Sequence, residues 1–230
     1  MKKPIEDRVL YEDNHLLIVN KLPSEIVQGD KTGDVCLLDD VKSYIKETYN
    51  KPGNVFAGLV HRIDRPVSGA VIFAKTSKAL SRMTLKIKER EFSKIYLAVV
   101  KNKPPKDADE LSDYMIKNEA QNKSYIVSSS TKGAKLAQLR YRVIGSSDSY
   151  YLLEVELITG RHHQIRAQLA HMGCPIKGDL KYGFPRSNPD ASISLHAYKL
   201  HFEHPTLKTP IDIKAPKPSG MPWDAFQIEN

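Results

Sequence analysis

The segment GLVHRIDRPVSGAVIFAKT, residues 58–76, gives the first indication of a fold. An aspartate, Asp64, stands between Arg62 and Arg65 in a polar turn. The continuous apolar run Gly69–Thr76 follows, and a run of that length is typical of a buried strand. Cationic neighbours favour the ionised form of a carboxylate, which is the form that acts as a nucleophile. Asp64 is therefore a candidate catalytic residue, while the simpler interpretation is an aspartate that pairs with its own arginines to hold the turn.

The sequence on either side of this segment alternates short strands with a few helices. Val9–Lys21 has the pattern of two strands around a polar turn, and Lys94–Val100 has that of another buried strand. Leu37–Tyr49 carries apolar residues at helical spacing, and residues 101–110 have the composition of an exposed loop. We therefore predict an α+β fold, dominated by mostly antiparallel strands, in a single domain that covers residues 1–230.

Two runs in the second half of the chain alternate between apolar and charged residues. Arg140 and Arg142 interleave with apolar residues in the first run, and two glutamates, Glu154 and Glu156, do so in the second. If the two strands pair, the arginines face the glutamates. Sheet structure alone then explains these four charges, and no functional role is needed for them.

In the segment TGRHHQIRAQLAHMG, residues 159–173, the apolar residues recur at the spacing of a helix. Ile165 and Leu169 are placed to form an inner face, and the glycine at its end can close the helix. We predict that this helix begins at Thr159 or Gly160.

The 230 residues include 35 lysines and arginines against 27 aspartates and glutamates, a net charge of +8 with a sequence pI near 9.3. A hydrophobic share of 40% is enough to build a core, and an ordinary charged fraction of 27% argues against bulk disorder. The longest apolar runs are too short to span a bilayer, and the N-terminal sequence turns acidic where a signal peptide would be apolar. Cys36 and Cys174 are too few for a disulfide framework, so we expect reduced thiols in a cytoplasmic protein.

The positive charge is concentrated between Lys75 and Lys106, where ten basic residues stand against two glutamates. A helix predicted there, capped at Ser77, separates a basic stripe from an apolar stripe. The basic stripe is formed by Lys78, Arg82, Lys86 and Arg90. Such a ridge is a candidate contact for phosphate groups, and a solvated helix face is the alternative. A basic domain of this kind indicates a polyanionic partner, most often nucleic acid.

The sequence lacks the motifs GxGxxG, GxxxxGK(S/T), GxSxG and HExxH of common nucleotide-binding, acyl-transfer and zinc-protease sites. His162 and His163 are adjacent, so on a helix their side chains would point about 100° apart. His171 lies two helical turns beyond them, and no cysteine or second carboxylate stands at ligand spacing. We therefore predict no metal site.

The segment HRIDRPVSGAVIFAKT, residues 61–76, resembles the HRLDxxTSGxxxxAK signature of the RluA-type RNA pseudouridine synthases. KIYLAVV, residues 94–100, is similar to the K-x-Y strand of that family. LITGRHHQIRAQLAHMGCPIKGDLKYG, residues 157–183, is similar to its block containing HQIR and GD-x-x-Y-G. The opening strands and the C-terminal segments LHAYKLHFEHP and KAPKP also resemble the family. The matches follow in order from about Val9 to Pro218 and cover nearly all of the chain.

The resemblance implies both a fold and a reaction. The fold is the pseudouridine synthase catalytic core, a mixed, mainly antiparallel sheet with flanking helices and a central RNA-binding cleft. In the reaction a uridine of ribosomal or transfer RNA is detached from its ribose at N1 and rejoined through C5, without a cofactor or metal. A base inside a stem has to leave the stack first, which costs a few kcal/mol.

The resemblance also implies roles for individual residues. Asp64 matches the catalytic aspartate, which attacks the sugar or assists another route to breaking the glycosidic bond. Tyr96 matches the active-site tyrosine, whose ring can stack on the flipped base. Arg166, in HQIR, matches the arginine that pairs with the catalytic aspartate and holds it ionised. Together with the basic stripe, the expected RNA contacts are Arg62, Arg65, Lys78, Arg82, Lys86, Arg90, Arg161 and His163.

The sequence departs from the family pattern at three places. NKLPSEIVQGDKTGD, residues 20–34, has an extra residue before the proline and lacks the expected glycine and His-Pro. Pro66 and Val67 replace the usual residues before Ser-Gly, and Gln168 stands where a histidine is common. We expect the first of these segments to line the substrate cleft and to affect substrate choice. The family motifs begin at about Val9, so we expect this chain to work without the small N-terminal RNA-binding domain of many relatives.

The leading hypothesis is an RNA pseudouridine synthase, an isomerase that acts on a stem-loop of ribosomal or transfer RNA. We expect a cytoplasmic monomer with no membrane contact and no obligatory protein partner. The alternative is an RNA-binding or RNA-folding factor on the same scaffold, with catalysis secondary or lost. A carboxylate-based hydrolase is a weaker hypothesis, because no second carboxylate stands near Asp64 in the motif.

Overall fold

The computed structural model describes residues 3–29 and 33–228. Its contacts divide the chain into two compact units. The first comprises the chain up to Ser93 together with Ala197–Pro216, and the second comprises Lys94–His196 together with the chain from Lys217 onward. The prediction of a single catalytic domain stays a prediction.

The described residues form many β-strands and a few α-helices, numbered in chain order. The strands are β1 (Val9–Glu12), β2 (Leu16–Lys21), β3 (Gly58–Leu59), β4 (Ser68–Ala74), β5 (Phe92–Val100), β6 (Ala108–Asn118), β7 (Lys123–Val127), β8 (Lys135–Ser146), β9 (Tyr151–Leu157), β10 (Leu195–Glu203) and β11 (Pro210–Lys214). The helices are α1 (Leu37–Thr48), α2 (Ser77–Glu89) and α3 (Gln164–His171). These elements confirm the predicted α+β class.

In the first unit the sheet has the strand order β1-β2-β4-β10-β11, and the short β3 pairs with β4. β1 and β2 pair antiparallel on either side of the predicted turn. β2 and β4 also pair antiparallel, from Leu16 opposite Ala74 to Lys21 opposite Gly69. All seven residues of β4 are buried, as its continuous apolar sequence predicts.

The core of the first unit joins this sheet to α2 and includes Ile72 of β4 and Met83 of the helix. α2 begins after Thr76, whose hydroxyl accepts a hydrogen bond from the Ala79 amide at 3.1 Å. The cap is therefore Thr76 and not the predicted Ser77. Arg90 ends the helix with a left-handed backbone, at φ 64°.

In the second unit the sheet has the strand order β5-β9-β8-β6-β7, with antiparallel pairing throughout. The predicted pairing of the two alternating runs is confirmed, because β8 and β9 are neighbours in this sheet. Arg140 lies opposite Glu156 with an ion pair of 3.7 Å, and Arg142 lies opposite Glu154 with one of 2.8 Å. Such exposed pairs contribute little to stability individually, and their place in the sheet accounts for all four charges.

Two sequence predictions for the second unit are wrong. Ala108 falls in a predicted loop, but β6 begins there and forms a hairpin with β7. The helix predicted to begin at Thr159 or Gly160 begins at Gln164 instead. The residue before it, His163, has a left-handed backbone with φ 53°, so the helix cannot extend back through it.

Within residues 3–29 and 33–228, none of the helices has the length and apolar character that crossing a membrane requires. In the same part of the chain, no cluster of three or more histidines, cysteines, aspartates and glutamates is arranged to hold a metal ion. Cys36 and Cys174 are buried and are both free thiols.

Candidate active site

Asp64 lies on a tight turn of the first unit, between β3 and β4. The turn is closed by a hydrogen bond of 3.0 Å from the Val67 amide to the Asp64 carbonyl. Ile63 and Val67 are buried, whereas Asp64 is half-buried. The apolar neighbours therefore anchor the turn and leave the aspartate partly open to solvent.

Lys21, at the end of β2, holds this turn from inside the unit. The residue is fully buried. Its ammonium donates hydrogen bonds to three carbonyl oxygens, those of Val67 at 2.6 Å, Leu22 at 2.9 Å and Arg65 at 3.0 Å. An ammonium has three N–H bonds, so these carbonyls use all of its donors. Two of the three carbonyls belong to residues that closely follow Asp64, and the protonated lysine thus fixes the turn that carries the carboxylate.

The charge of Lys21 depends on its surroundings. Burial lowers the pKa of Lys21 from 10.5 to about 7. The carboxylates of Glu25 and Asp64 favour the ammonium, and the guanidinium groups of Arg65 and Arg8 oppose it. The ammonium therefore lies within electrostatic reach of the candidate catalytic carboxylate.

Arg65 connects the same turn to the segment 20–34, which departs from the family pattern. Its Nε donates to the Ser24 carbonyl at 3.1 Å, and its guanidinium lies 3.2 Å from the Asp34 carboxylate. The Ser24 amide donates back to the Arg65 carbonyl at 2.9 Å. Arg62 is exposed. The RNA contacts of both arginines stay predictions.

Two motif residues beside the turn have structural roles. His61 accepts a hydrogen bond from the Ile72 amide at Nε2, at 3.3 Å, and its ring centre lies 5.8 Å from that of Phe92. Gly69 has φ +114°, and a Cβ there would lie 2.3 Å from the Ala197 carbonyl oxygen. The close approach of two backbones therefore requires the glycine of the Ser-Gly motif.

Tyr96 lies on β5 of the second unit, opposite Val155 of β9, and is buried. Lys94 precedes Tyr96 by two residues, so the two side chains lie on the same face of the strand. Burial lowers the pKa of Lys94, and its Nζ lies 3.5 Å from the position that a Cβ would occupy at Gly160. The K-x-Y motif thus places a lysine of lowered pKa next to the tyrosine. The catalytic role of Tyr96 stays a prediction.

Arg166 is buried on α3, where two neighbours orient its guanidinium. Its Nε and one terminal nitrogen donate to the two carboxylate oxygens of Asp179, at 2.7 and 2.9 Å. The guanidinium also lies 5.1 Å from the centre of the Tyr182 ring. Asp179 and Tyr182 belong to the GD-x-x-Y-G block, so this motif orients the arginine of HQIR. The predicted pairing of Arg166 with Asp64 stays a prediction.

Gln164 organises the loop that precedes α3. Its side-chain oxygen accepts hydrogen bonds from the Thr159 hydroxyl at 2.8 Å and from the Arg161 amide at 2.9 Å. Its side-chain nitrogen donates to the Gln138 carbonyl at 3.0 Å. These bonds hold residues 159–163 as a loop, which is the physical reason that the helix begins later than the sequence predicts.

His163 is an interior residue of this loop, with 8% of its surface exposed. Burial lowers its pKa to about 2, so the imidazole is neutral. Its Nδ1 lies 3.0 Å from the Tyr182 hydroxyl, and its ring stacks on that of His162 with 3.8 Å between the centres. This placement favours a packing role for His163 over the RNA contact predicted from the sequence.

Gln168, which replaces a histidine common in the family, packs α3 against the sheet. Its side-chain nitrogen donates to the Asp113 carboxylate at 2.8 Å and to the Ala137 carbonyl at 3.2 Å. These acceptors lie on β6 and β8. Gln168 therefore lies at the contact between the helix and two neighbouring strands.

Lys86, predicted to belong to the basic stripe of α2, is buried. Its ammonium lies 3.0 Å from a carboxylate oxygen of Glu203 and 3.1 Å from one of Glu91. These hydrogen bonds raise the pKa of Lys86. The continuous basic ridge predicted from the spacing is thus interrupted, because helical spacing gives the direction of a side chain but not the partner that meets it.

The other members of the stripe differ in their contacts. Lys78 is exposed near the beginning of α2. Arg82 donates to the Pro205 carbonyl and to the Thr206 hydroxyl, each at 3.1 Å. Arg90 is exposed, just beyond the last residue of the helix. The RNA contacts of these three basic residues stay predictions.

Reversing the charge of Lys86 is expected to destabilise the protein, whereas reversing that of Lys78 is not. Lys86→Glu would replace a buried ammonium by a third carboxylate beside two half-exposed ones, and this change should cost about 1–2 kcal/mol. Lys78→Glu changes an exposed charge, so the free energy of unfolding should stay within about 0.5 kcal/mol of the wild-type value. Chemical denaturation of both variants measures the difference, and equal midpoints would show that the Lys86 ion pairs do not stabilise the fold.

Sequence reasoning missed the two residues that hold the candidate catalytic groups, Lys21 beside the Asp64 turn and Asp179 beside Arg166. A lysine that ends an apolar strand was an available signal for Lys21, because a buried lysine needs partners. Asp179 stands in the GD-x-x-Y-G block, but nothing in its local sequence indicates which cation it meets.

Comparison with known sequences agrees with the resemblance that the motifs show. A family model described as RNA pseudouridylate synthase matches residues 15–171. The ribosomal large subunit pseudouridine synthase C of Buchnera aphidicola subsp. Acyrthosiphon pisum is 36% identical over 219 residues, which cover 91% of this chain and 67% of the relative. The protein of the same name from Vibrio vulnificus is 31% identical, with 92% of this chain and 66% of the relative covered. This chain thus spans about two thirds of the length of these relatives.

Solved structures show the same fold. Human RNA pseudouridylate synthase domain containing 4 superposes with a TM-score of 0.78 at 22% identity, covering 93% of this chain and 90% of that one. Human RNA pseudouridylate synthase domain containing 1 gives a TM-score of 0.71 at 23% identity, with 91% and 82% covered. These likenesses concern the fold alone, and they confirm the predicted mixed, mainly antiparallel α+β architecture.

Proposed function

This chain belongs to the RNA pseudouridylate synthase family, a family of isomerases, and we propose that it converts uridine to pseudouridine in ribosomal RNA. The observation that carries the proposal is the Asp64 turn, which presents a half-buried carboxylate of the HRID motif and is held by a buried ammonium. Ribosomal RNA is the proposed substrate class because the relatives from Buchnera and Vibrio are named ribosomal large subunit pseudouridine synthases. Transfer RNA, the other class predicted from the sequence, is the alternative.

In the proposed reaction the bond between N1 of uracil and C1′ of ribose breaks, and a bond between C5 and C1′ forms. The proton of C5 leaves and N1 gains one, so the conversion balances without a cofactor, an oxidant or a reductant. A stacked base has to leave the helix before either bond can change. Asp64 acts at the ribose, either as a nucleophile or by assisting another route to cleavage of the glycosidic bond.

Tyr96 and Arg166 are the proposed partners of Asp64. The Tyr96 ring offers a stacking face to the flipped base, and its hydroxyl is a candidate for proton transfer. Arg166 is proposed to pair with Asp64 and to keep it ionised, and the bidentate pair with Asp179 supports an oriented guanidinium. These roles require that both units act as one catalytic domain. We propose further that this domain works as a cytoplasmic monomer and needs no other protein.

The test of this function is tritium release from large-subunit ribosomal RNA that carries tritium at C5 of uridine. The purified chain should release the label, because forming the bond between C5 and C1′ expels it. Chemical mapping of the product should then locate pseudouridine at a small number of positions. RNA from a strain that lacks the gene should be unmodified at the same positions.

The outcomes separate the activity from its substrate. Release from transfer RNA alone would overturn ribosomal RNA as the substrate class and leave the isomerase activity standing. Background release from both RNA classes, with an unchanged pseudouridine map in the deletion strain, would overturn the proposed function. An RNA-folding factor, the alternative raised by the sequence, would give that second result.

A further inference from the structure

The hairpin formed by β6 and β7 carries a cluster of apolar side chains on one face. Tyr114 of β6 lies opposite Val127 of β7 and Leu136 of β8. Ile116, two residues further on, lies opposite Tyr125 of β7. Opposed residues in antiparallel strands share a face, as do residues two apart along one strand. These five residues therefore form one patch, which we call the tyrosine face.

The tyrosine face is open, whereas the other face of the same hairpin is buried. Tyr114 is 37% exposed and Tyr125 is 38% exposed. On the other face, Met115 belongs to a buried cluster with Ala137 of β8 and Ala167 of α3. A single exposed apolar residue is ordinary, but neighbouring aromatic and aliphatic residues on one open sheet face indicate a binding surface.

The buried side of the hairpin is fastened to the residues around Arg166. The Ser124 hydroxyl on β7 donates to the His162 carbonyl at 2.7 Å, and the Ser124 amide donates to the Tyr182 hydroxyl at 2.9 Å. The Tyr182 ring lies beside the Arg166 guanidinium. The tyrosine face is thus held by direct contacts to residues on either side of α3 in the sequence, the helix that carries the proposed catalytic arginine.

The chain that forms the tyrosine face has an excess of positive charge. Residues 114–136 include four lysines and one glutamate. That glutamate, Glu119, is paired with Lys117, which leaves three lysines beyond this pair in the segment. Lys123 lies 5.3 Å from the centre of the Tyr125 ring, so one cation adjoins an exposed aromatic surface directly.

Two cations from other parts of the second unit also lie beside this hairpin. Lys181 donates to the Asn122 carbonyl in the turn between β6 and β7, at 3.1 Å. Arg161 donates through Nε to the Leu136 carbonyl at 2.9 Å. Positive charge therefore borders the tyrosine face at both ends, which is the arrangement that suits a polyanion.

We propose that the tyrosine face docks RNA, with unpaired bases stacking on Tyr114 and Tyr125 and neighbouring phosphates contacting Lys123. This proposal rests on the proposed function, which supplies RNA as the polyanion. Aromatic rings stack on every kind of base, so the surface takes loop or single-stranded nucleotides of the substrate RNA. A protein is the competing occupant, and the cations beside the exposed rings favour RNA.

The test measures the affinity of the full chain for a fluorescent oligouridylate and for the large-subunit RNA transcript. Tyr114→Ala and Tyr125→Ala should each weaken binding about tenfold, because each removes one stacking contact. Tyr114→Phe and Tyr125→Phe keep the ring and should bind as the wild type does. Phe56→Ala is the matched control, because it removes a ring of the first unit that is 46% exposed, and it should leave the affinity unchanged.

Salt dependence separates stacking from charge in the same assay. The slope of log affinity against log salt concentration should not change in the tyrosine variants, since a stacking contact releases no counterions. Lys123→Gln should reduce the magnitude of that slope by about one.

Each outcome decides the proposal. Wild-type affinity in both folded alanine variants would overturn it, and would leave the proposed function intact where those variants still release tritium. If the alanine variants do not fold, an unchanged salt slope in Lys123→Gln would overturn it.

If the wild type releases no tritium, the proposed function fails, but the binding comparison still decides whether the tyrosine face contacts RNA. Unchanged RNA binding with loss of a protein complex would assign the face to a protein and overturn the proposal.

Discussion

Asp64→Asn is expected to reduce tritium release from labelled RNA by at least about a thousandfold, with the affinity for RNA unchanged. The asparagine keeps the size of the side chain but replaces one acceptor oxygen by a donor amide and removes the negative charge. A neutral amide can neither attack C1′ of the ribose nor stabilise positive charge that develops there. The turn itself is held through backbone carbonyls after Asp64, so the substitution should leave the fold intact.

The control for this variant is Asp148→Asn, which makes the same chemical change at an exposed residue in the loop between β8 and β9. It should release tritium at the wild-type rate. Equal release from Asp64→Asn and the wild type would remove Asp64 from the mechanism and with it the main support for the proposed function. Circular dichroism spectra of both variants check that the fold is retained.

Lys21→Met is expected to lower kcat by about a hundredfold while the KM for RNA changes little. Methionine preserves most of the buried apolar stem but removes all three N–H donors from the carbonyls that Lys21 holds. The Asp64 turn then loses its main anchor, and a misplacement of about 1 Å at a reacting group costs roughly a hundredfold in rate. Single-turnover kinetics at saturating RNA measure this effect separately from binding.

The same variant tests the charge of the buried lysine through the pH dependence of stability. Folding lowers the pKa of Lys21 from 10.5 to about 7, so between these two values the unfolded chain holds a proton that the folded chain has released. The contribution of this group to the free energy of unfolding therefore rises with pH in that window, by up to about 1.4 kcal/mol per pH unit. Below the window both states are protonated, and the cost of burying the charge applies in full.

Comparing Lys21→Met with the wild type isolates this contribution. As the pH rises through the window, the wild type should gain stability relative to the variant. Lys46→Met, at an exposed position of α1, should run parallel to the wild type and keep its kcat. Wild-type turnover in Lys21→Met would show that the ammonium does not position Asp64, and parallel stability curves would show that the pKa of Lys21 is not lowered.

The sequence predicts those parts of the fold that depend on local periodicity. The buried strand β4 follows from a continuous apolar run, and the pairing of β8 with β9 follows from two matched alternations. The β6–β7 hairpin was missed because its first residues are charged, and a charged segment is typical of a loop as well as of a half-exposed strand. The start of α3 was missed because a side chain within the helix, that of Gln164, stabilises the loop before it.

The candidate site was predictable to the extent that its residues lie in contiguous motifs. Asp64, Tyr96 and Arg166 each stand in a segment that resembles the family, and their positions could be named from those segments. The residues that hold them could not, because their contacts span long separations in sequence. Lys21 donates to carbonyls more than forty positions away, and Lys86 meets Glu203 from a distant strand. A periodic pattern contains no information about such partners.

The discontinuous first unit has a consequence for the order in which the chain can fold during synthesis. β4 lies between β2 and β10, but the ribosome completes β10 and adds β11 only after the whole of Lys94–His196 has been made. Until then β3 covers only the Phe73–Ala74 end of the β4 edge opposite β2, and the core of the unit lacks Phe202 and Ile213. A mostly apolar strand whose edge is largely uncovered is a template for wrong pairing. The strand that follows the Asp64 turn is therefore exposed to wrong pairing and aggregation until the last part of the unit has been made.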